Sequence, residues 1–356
     1  MADLSNGPLV AQIDVLINGS PVSAAVLRYV EDVMVDESVE LPSMFAFAVT
    51  SSDAQEKEAP WVDNEDLFSV GNVVEIKMGG EDDLASLIIG EITALEPEFV
   101  TSRLPLLNVR GYDRRHRLQR GRKTRSFLQK KDSEIADQIA NEAGLRVQAT
   151  DSGSSLDYVL QANQTDWEFL CERARLIRYE VVVNDKTLIF QPVGNDKSET
   201  LTLDMKGDLL EFYPRLSSAG QASEVKVQSW SVKDKKAVLG DSKAGDEVSS
   251  MGGQSSGAAI AQKAFGDAID VIVDQPVAAQ AEADQIAKAH FNELVLEFVA
   301  GEGLCRGRTA IRAGKVIKID GIGKRFGGPY YVASAIHRYT AAGGYVTEFR
   351  VRRNAS

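Results

Sequence analysis

The chain has 356 residues, 44% hydrophobic and 26% charged, with a net charge of −12; this balance excludes wholesale disorder and leaves room for roughly two to four compact units. No run approaches the ~20 apolar residues of a membrane span. The first residues lack the basic and apolar regions of a signal peptide, and the distant Cys171 and Cys305 form neither a disulfide framework nor a zinc site.

Charge is uneven along the chain. Residues 1–109 hold 20 acidic and 4 basic side chains, whereas residues 110–131 hold 10 basic and one acidic. Such a swing suits surfaces that meet different partners or other copies of the same chain. The first hundred residues predict β-structure. Residues 13–21 are a strand entering a turn, and 45–50 alternate with period two. An acidic loop follows over 53–66, then strands at 72–78, 87–93 and 106–110. Short strands with glycine turns and no long helix suggest a small barrel or sandwich.

The middle changes character. Asp132 caps a helix through about Ala143, with Ile135, Ile139 and Ala143 on one face and Gly144 as its stop. Thr165 and Glu168 form a capping box for a second helix, whose stripe is Trp167, Leu170, Cys171, Ala174 and Ile177. A hairpin over 179–191 completes an α+β unit. Ten of the eighteen residues over 240–257 are Gly or Ser, which predicts a flexible loop. Pro276 then starts an alanine-rich helix to His290, and strand signals return from Glu293.

The chain also repeats itself. Residues 71–77 resemble 314–320 at an offset of 243, residues 87–92 face 330–335 at the same offset, and 106–110 meet 348–352 at 242. Two β-regions of similar composition would give a partial match; two copies of one β-domain explain three segments in order.

Chemistry is sparse. His116, His290 and His337 make no metal-binding spacing and read as structural or solvated. Asp82-Asp83 sits in a glycine-rich turn. The Gly321–Gly327 segment lies between strands with no following helix, which fits a β-turn and not a phosphate loop. No catalytic, metal or cofactor residue is assigned. The Arg-rich segment 110–125 carries two readings: a grip on nucleic-acid phosphates, or charge pairing with an acidic surface at a subunit boundary.

Gly-Tyr-Asp-Arg-Arg-His-Arg-Leu at 111–118, Thr-Asp-Trp-Glu-Phe-Leu-Cys-Glu-Arg-Ala at 165–174, Glu-Phe-Tyr-Pro-Arg-Leu at 211–216, and the segments 313–326 and 328–337 stand in one order. Together they resemble the hub region of VgrG and phage late-control D proteins. The resemblance covers most of the chain, least securely 1–60 and 240–290. It implies a mainly β, α+β fold with two related tube-type β-barrel domains, an inserted α+β domain and a flexible Gly/Ser-rich insertion. The implied division is 1–113 for the first barrel, 114–198 for the α+β domain, 199–239 with 300–356 for the second barrel, and 240–299 for the insertion.

The implied role is structural and not enzymatic: a baseplate hub of a contractile injection system or phage tail. It would be a homotrimeric ring acting as a symmetry adaptor between a sixfold tube and a threefold spike. VgrG proteins continue into a spike, whereas this chain stops after the last strand of its second repeat, so a separate spike protein is expected. The first tube ring and other baseplate proteins are further expected partners, with no stable nucleic acid, no cofactor and no membrane-spanning segment. The chain would be made in the cytoplasm and built into a phage or phage-like particle. Open barrel edges predict an assembly interface at Val73, Ile76, Val109, Arg110, Tyr112, Arg114, Val316, Ile319, Phe349 and Val351. A baseplate-associated cell-wall hydrolase and a nucleic-acid-binding module are the alternatives.

Overall fold

The computed structural model of the chain describes residues 11–50, 61–80 and 84–356. The signal-peptide reading, most of the acidic loop over 53–66 and the Asp82-Asp83 turn lie outside them. Strands dominate, and most pairs are antiparallel.

In the first half, β1 (Gln12–Ile17) turns through Asn18 and Gly19, both at positive φ, into β2 (Ser20–Pro21). A short α1 (Ala24–Leu27) leads to β3 (Val30–Ser38), β4 (Met44–Thr50), β5 (Val73–Gly79), β6 (Ala85–Glu98) and β7 (Leu106–Tyr112). Alternate side chains turn inward, so Val33, Phe45, Val74, Ile76 and Val109 share one core.

The middle unit holds α2 (Arg115–Leu118), β8 (Lys123–Lys130), α3 (Asp132–Glu142), β9 (Arg146–Ala149), β10 (Leu156–Gln164), α4 (Asp166–Leu176), β11 (Tyr179–Asn184) and β12 (Thr187–Pro192). Asp132 is not the cap of α3. The Lys131 backbone N–H donates to the Glu134 carboxylate at 2.8 Å, while Asp132 pairs with Arg173 at 2.7 Å. At α4 the capping box forms: Glu168 N–H donates to Thr165 Oγ1 at 3.1 Å, and Thr165 N–H to the Glu168 carboxylate at 2.9 Å.

The second half begins with β13 (Glu199–Asp204) and β14 (Leu209–Leu216). An insertion follows: β15 (Glu224–Ser231), β16 (Lys236–Lys243), α5 (Gly257–Phe265), β17 (Ile269–Ile272) and α6 (Gln280–Leu296). The half resumes with β18 (Val299–Arg306), β19 (Val316–Asp320), β20 (Gly328–Thr340) and β21 (Gly344–Arg353).

The insertion differs from its expected form. β15 pairs with β16 and β17 in a separate sheet, not with the second half. The Gly/Ser-rich stretch is a loop over 244–255, but it is anchored at several points. Met251 is buried, and a Cβ at Gly240, Gly253 or Gly257 would come within 2.3, 2.5 or 2.4 Å of Ala283, Ala355 or Phe298. The glycines there permit close approach. Pro276 precedes α6 by several residues, and the helix runs past His290 to Leu296.

One sheet of thirteen strands unites both halves among the described residues. Across the first half the order is β1-β5-β6-β7-β4-β3; across the second it is β13-β19-β20-β21-β18-β14. By chain order these are the same arrangement. The register agrees as well. Val73, Glu91, Tyr112, Met44 and Asp36 face one another in a row across β5, β6, β7, β4 and β3. Val316, Tyr331, Arg352, Ala300 and Arg215 do so across β19, β20, β21, β18 and β14. A bulge falls just after the row in each half, between Ile92 and Ala94 and between Val332 and Ser334. The outermost strand departs from the rule: β1 runs antiparallel to β5, whereas β13 runs parallel to β19.

The Val73–Val316 match is the one read from sequence. Glu91, however, corresponds to Tyr331 and not Ser334, because the near-continuous apolar run at 87–92 carries no face information to set its register. Neither half closes into a barrel through backbone pairing among the described residues. The halves join where the distal part of β20 pairs with β3, from Ser334 opposite Ser38 to Thr340 opposite Asp32.

Candidate assembly interface

Most residues expected at an assembly interface lie inside the chain's own cores. Ile76, Val109, Val316, Ile319, Phe349 and Val351 are all buried, because inward positions of a paired strand fill the core before any partner arrives. Val73 is half-buried. Arg114 is buried in an ion-pair cluster, leaving Arg110 and Tyr112 at the surface, with Tyr112 38% exposed.

That cluster is centred on Glu91 of β6. Arg114 Nε donates to its carboxylate at 3.1 Å, Arg117 donates twice at 2.7 and 2.8 Å, and His116 Nε2 lies 2.9 Å away. Burial pushes the Glu91 carboxyl up, but the hydrogen bonds from Arg117 and His116 and the Arg117 and Arg114 charges outweigh it and hold the pKa below its ordinary value. Arg114 also pairs with Asp185 at the β11–β12 turn, tying the middle unit to the first half. Further along, Arg122 meets Glu168 at 2.9 Å, Lys123 meets Asp166 at 2.7 Å and Arg125 meets Asp166 at 2.8 Å. The basic run is therefore largely neutralised by carboxylates of the same chain. Phosphates would have to displace those carboxylates, which argues against a nucleic-acid grip.

The other candidate groups are structural in their contacts. Burial pushes the Cys171 and Cys305 thiols up to about 12, far from a ready nucleophile. His337 donates from Nε2 to the Ile311 carbonyl at 3.0 Å, and its Nδ1 accepts from the Tyr345 hydroxyl at 2.7 Å. His290 sits 2.9 Å from Asp270. Among the described residues no group of three or more His, Cys, Asp or Glu is placed to hold a metal, and no helix is long and apolar enough to cross a membrane.

Two open strand edges offer more than any pocket. β14 pairs with β18 alone, and β6 beyond Ile92 pairs with β7 alone, among the described residues. β14 displays Leu210, Tyr213 and Leu216 at the surface, and Phe99, just past β6, is 67% exposed. Unpaired N–H and C=O groups beside apolar side chains form a template for another strand. Sequence reasoning missed these edges, although Pro97 and Pro214 are a signal for them, since proline within a sheet is confined to edges and bulges.

The fold is that of phage-tail and type VI secretion proteins. The chain matches the 43 kDa tail protein of prophage MuSo2 from Shewanella oneidensis with a TM-score of 0.71 at 15% identity, over 96% of this chain and 98% of that one. It matches a tail protein from Neisseria meningitidis MC58 with a TM-score of 0.68 at 14% identity, over 96% of both chains. An Escherichia coli component of the type VI secretion system, described as structurally similar to T4 bacteriophage tail proteins gp27 and gp5, gives 0.63 at 13% identity over 96% of this chain and 77% of that one. No curated protein matches. Residues 8–341 match the family model described as Alg8 N-terminal domain, and the chain belongs to that family.

Proposed function

We propose that the chain is a structural baseplate hub of the VgrG and late-control D type, built into a phage tail or phage-like contractile injection particle. Three copies form a ring, and each contributes two related β-units, so the wall has quasi-sixfold character. Such a ring matches a sixfold tube on one side and a threefold spike on the other. The first tube ring, the spike and neighbouring baseplate proteins are its partners.

The observation that carries this reading is the duplicated strand order, with matching rows and matching bulges, on one continuous sheet. Two similar units joined head to tail in one chain supply a heterologous contact, which repeated by a rotation that closes generates a ring. The similarity of the fold to tail proteins supports the location. Among the described residues the units are not closed in the single chain, and in this reading neighbours complete them into tube-type barrel segments. In this reading the second unit comprises β13, β14 and β18–β21, and the insertion comprises β15–β17 with α5 and α6.

Counting copies per purified particle by isotope-dilution mass spectrometry tests the proposal. Three copies are expected. One, two, four or six copies would contradict it.

A further inference from the structure

We infer that the ring seam joins β14 of one chain to the distal part of β6 of the next copy, in a register fixed by the junction already present inside the chain. This rests on the ring proposed above and specifies how its copies meet.

The argument is one of equivalence. Inside the chain, β3 of the first unit pairs with β20 beyond its bulge. The counterpart of β3 is β14, and the counterpart of distal β20 is distal β6, as the facing rows and the bulges establish. Both counterparts are open in the single chain among the described residues. Within one chain β14 and distal β6 belong to opposite ends of the repeat, so the strand that answers each is supplied by a second copy.

The register follows. Ala94 and Ser334 each stand directly after the bulge, so Leu95, Glu96, Pro97 and Phe99 correspond to Ala335, Ile336, His337 and Tyr339. Arg215 shares its place in the row with Asp36, so Leu216, Pro214 and Phe212 correspond to Glu37, Val35 and Val33. In the chain, Ala335 faces Glu37, Ile336 faces Asp36, His337 faces Val35 and Tyr339 faces Val33. Between copies, Leu95 then faces Leu216, Glu96 faces Arg215, Pro97 faces Pro214 and Phe99 faces Phe212.

The side chains agree with that pairing although they played no part in deriving it. Two apolar pairs meet on one face, and a carboxylate meets a guanidinium on the other. Tyr339 packs against the first unit's core across the in-chain junction, whereas its counterpart Phe99 is 67% exposed. Phe212, the partner assigned to Phe99, is stacked 6.4 Å from Phe349 and set edge-on 5.6 Å from Tyr330 at the rim of the second core. Glu96 makes an exposed ion pair with Arg110 at 3.4 Å, and Arg215 is exposed. The two prolines coincide at one rung, so their missing N–H groups spoil one rung instead of two. Each also discourages pairing with an unrelated strand.

Disulfide trapping in purified particles tests the seam. Directly opposed antiparallel residues lie ~4.5–5.5 Å apart at Cα, within disulfide reach. A Leu95→Cys/Leu216→Cys chain is expected to give linked dimers and trimers on non-reducing gels. A Phe99→Cys/Leu216→Cys chain, four residues out of register, is expected to stay monomeric. Linking of the second pair, or of neither, would overturn the register while a three-copy ring still stood. As a check independent of cysteine, Glu96→Arg and Arg215→Glu should each cut particle yield about tenfold, and the double reversal should restore it. Equal loss in the double variant would overturn the seam.

Discussion

Glu91 is the side chain on which Arg114, His116 and Arg117 converge, and its removal should be costly. Breaking a buried ion cluster by deleting one partner costs ~3–5 kcal/mol, because the remaining charge stays buried. Glu91→Gln should therefore destabilise the chain by about that amount in urea titration, while Arg110→Gln at the surface should change it by less than ~0.5 kcal/mol. His337 gives a separate acid signature. Burial, first, and the Arg312 charge push its pKa down to about 4 against the opposing Glu37 charge, from an ordinary 6.5. It is neutral in the fold and takes up a proton more readily when unfolded. Its stabilising contribution is thus complete above pH 6.5 and declines as the pH falls toward 4. The Glu91 contribution, resting on a lowered carboxylate pKa, fades only in more acid solution. Melting temperature measured against pH should fall through the upper window in the parent chain, and His337→Gln should flatten that window at a cost of ~1–2 kcal/mol at neutral pH. An unchanged slope in the variant would count against the assignment. His337 was read from sequence as structural, but its depth was not legible, since Ile311 and Tyr345 are brought to it only by the fold.

At the scale of elements, strands with clean alternation were legible and those without were not. β4 and the β11–β12 hairpin stand where period two and turn residues put them. β3, β8 and β10 were passed over, because charged residues and positive-φ positions such as Gln129 and Asn163 break their pattern. The Gly/Ser-rich stretch misled for a physical reason: glycine serves both flexibility and close packing, and composition cannot tell them apart. β16 lies so near α6 that a Cβ at Gly240 would meet the Ala283 backbone at 2.3 Å. Gly240→Ala should destabilise the insertion by ~1–3 kcal/mol, read as a lowered urea midpoint. Gly245→Ala, with open space around it but a positive φ of 108°, should cost less, ~1 kcal/mol from backbone strain. Equal effects would mean that the insertion is looser than its packing indicates. The faces of the strands were not fully legible either. Six of the ten chosen residues point into the chain's own cores, whereas a strand's edge, and not its inward side chains, is what a neighbouring chain can reach.

For the whole molecule, the duplication was partly visible as three recurring segments, and the coordinates extend it to a common strand order and bulge. What the sequence could not reveal is that one junction between units is made inside the chain while its counterpart is left open. In the proposed ring that asymmetry drives assembly: among the described residues the open pair of edges leaves backbone groups unpaired and Phe99 exposed, and the proposed seam covers them. The measurement that bears most directly on this account is a cryo-EM reconstruction of the assembled particle computed without imposed symmetry. The account predicts a ring with threefold symmetry and six similar β-lobes, alternating between the first and second units of three chains. A ring of twofold, fourfold or true sixfold symmetry, or single copies dispersed around the particle, would contradict it.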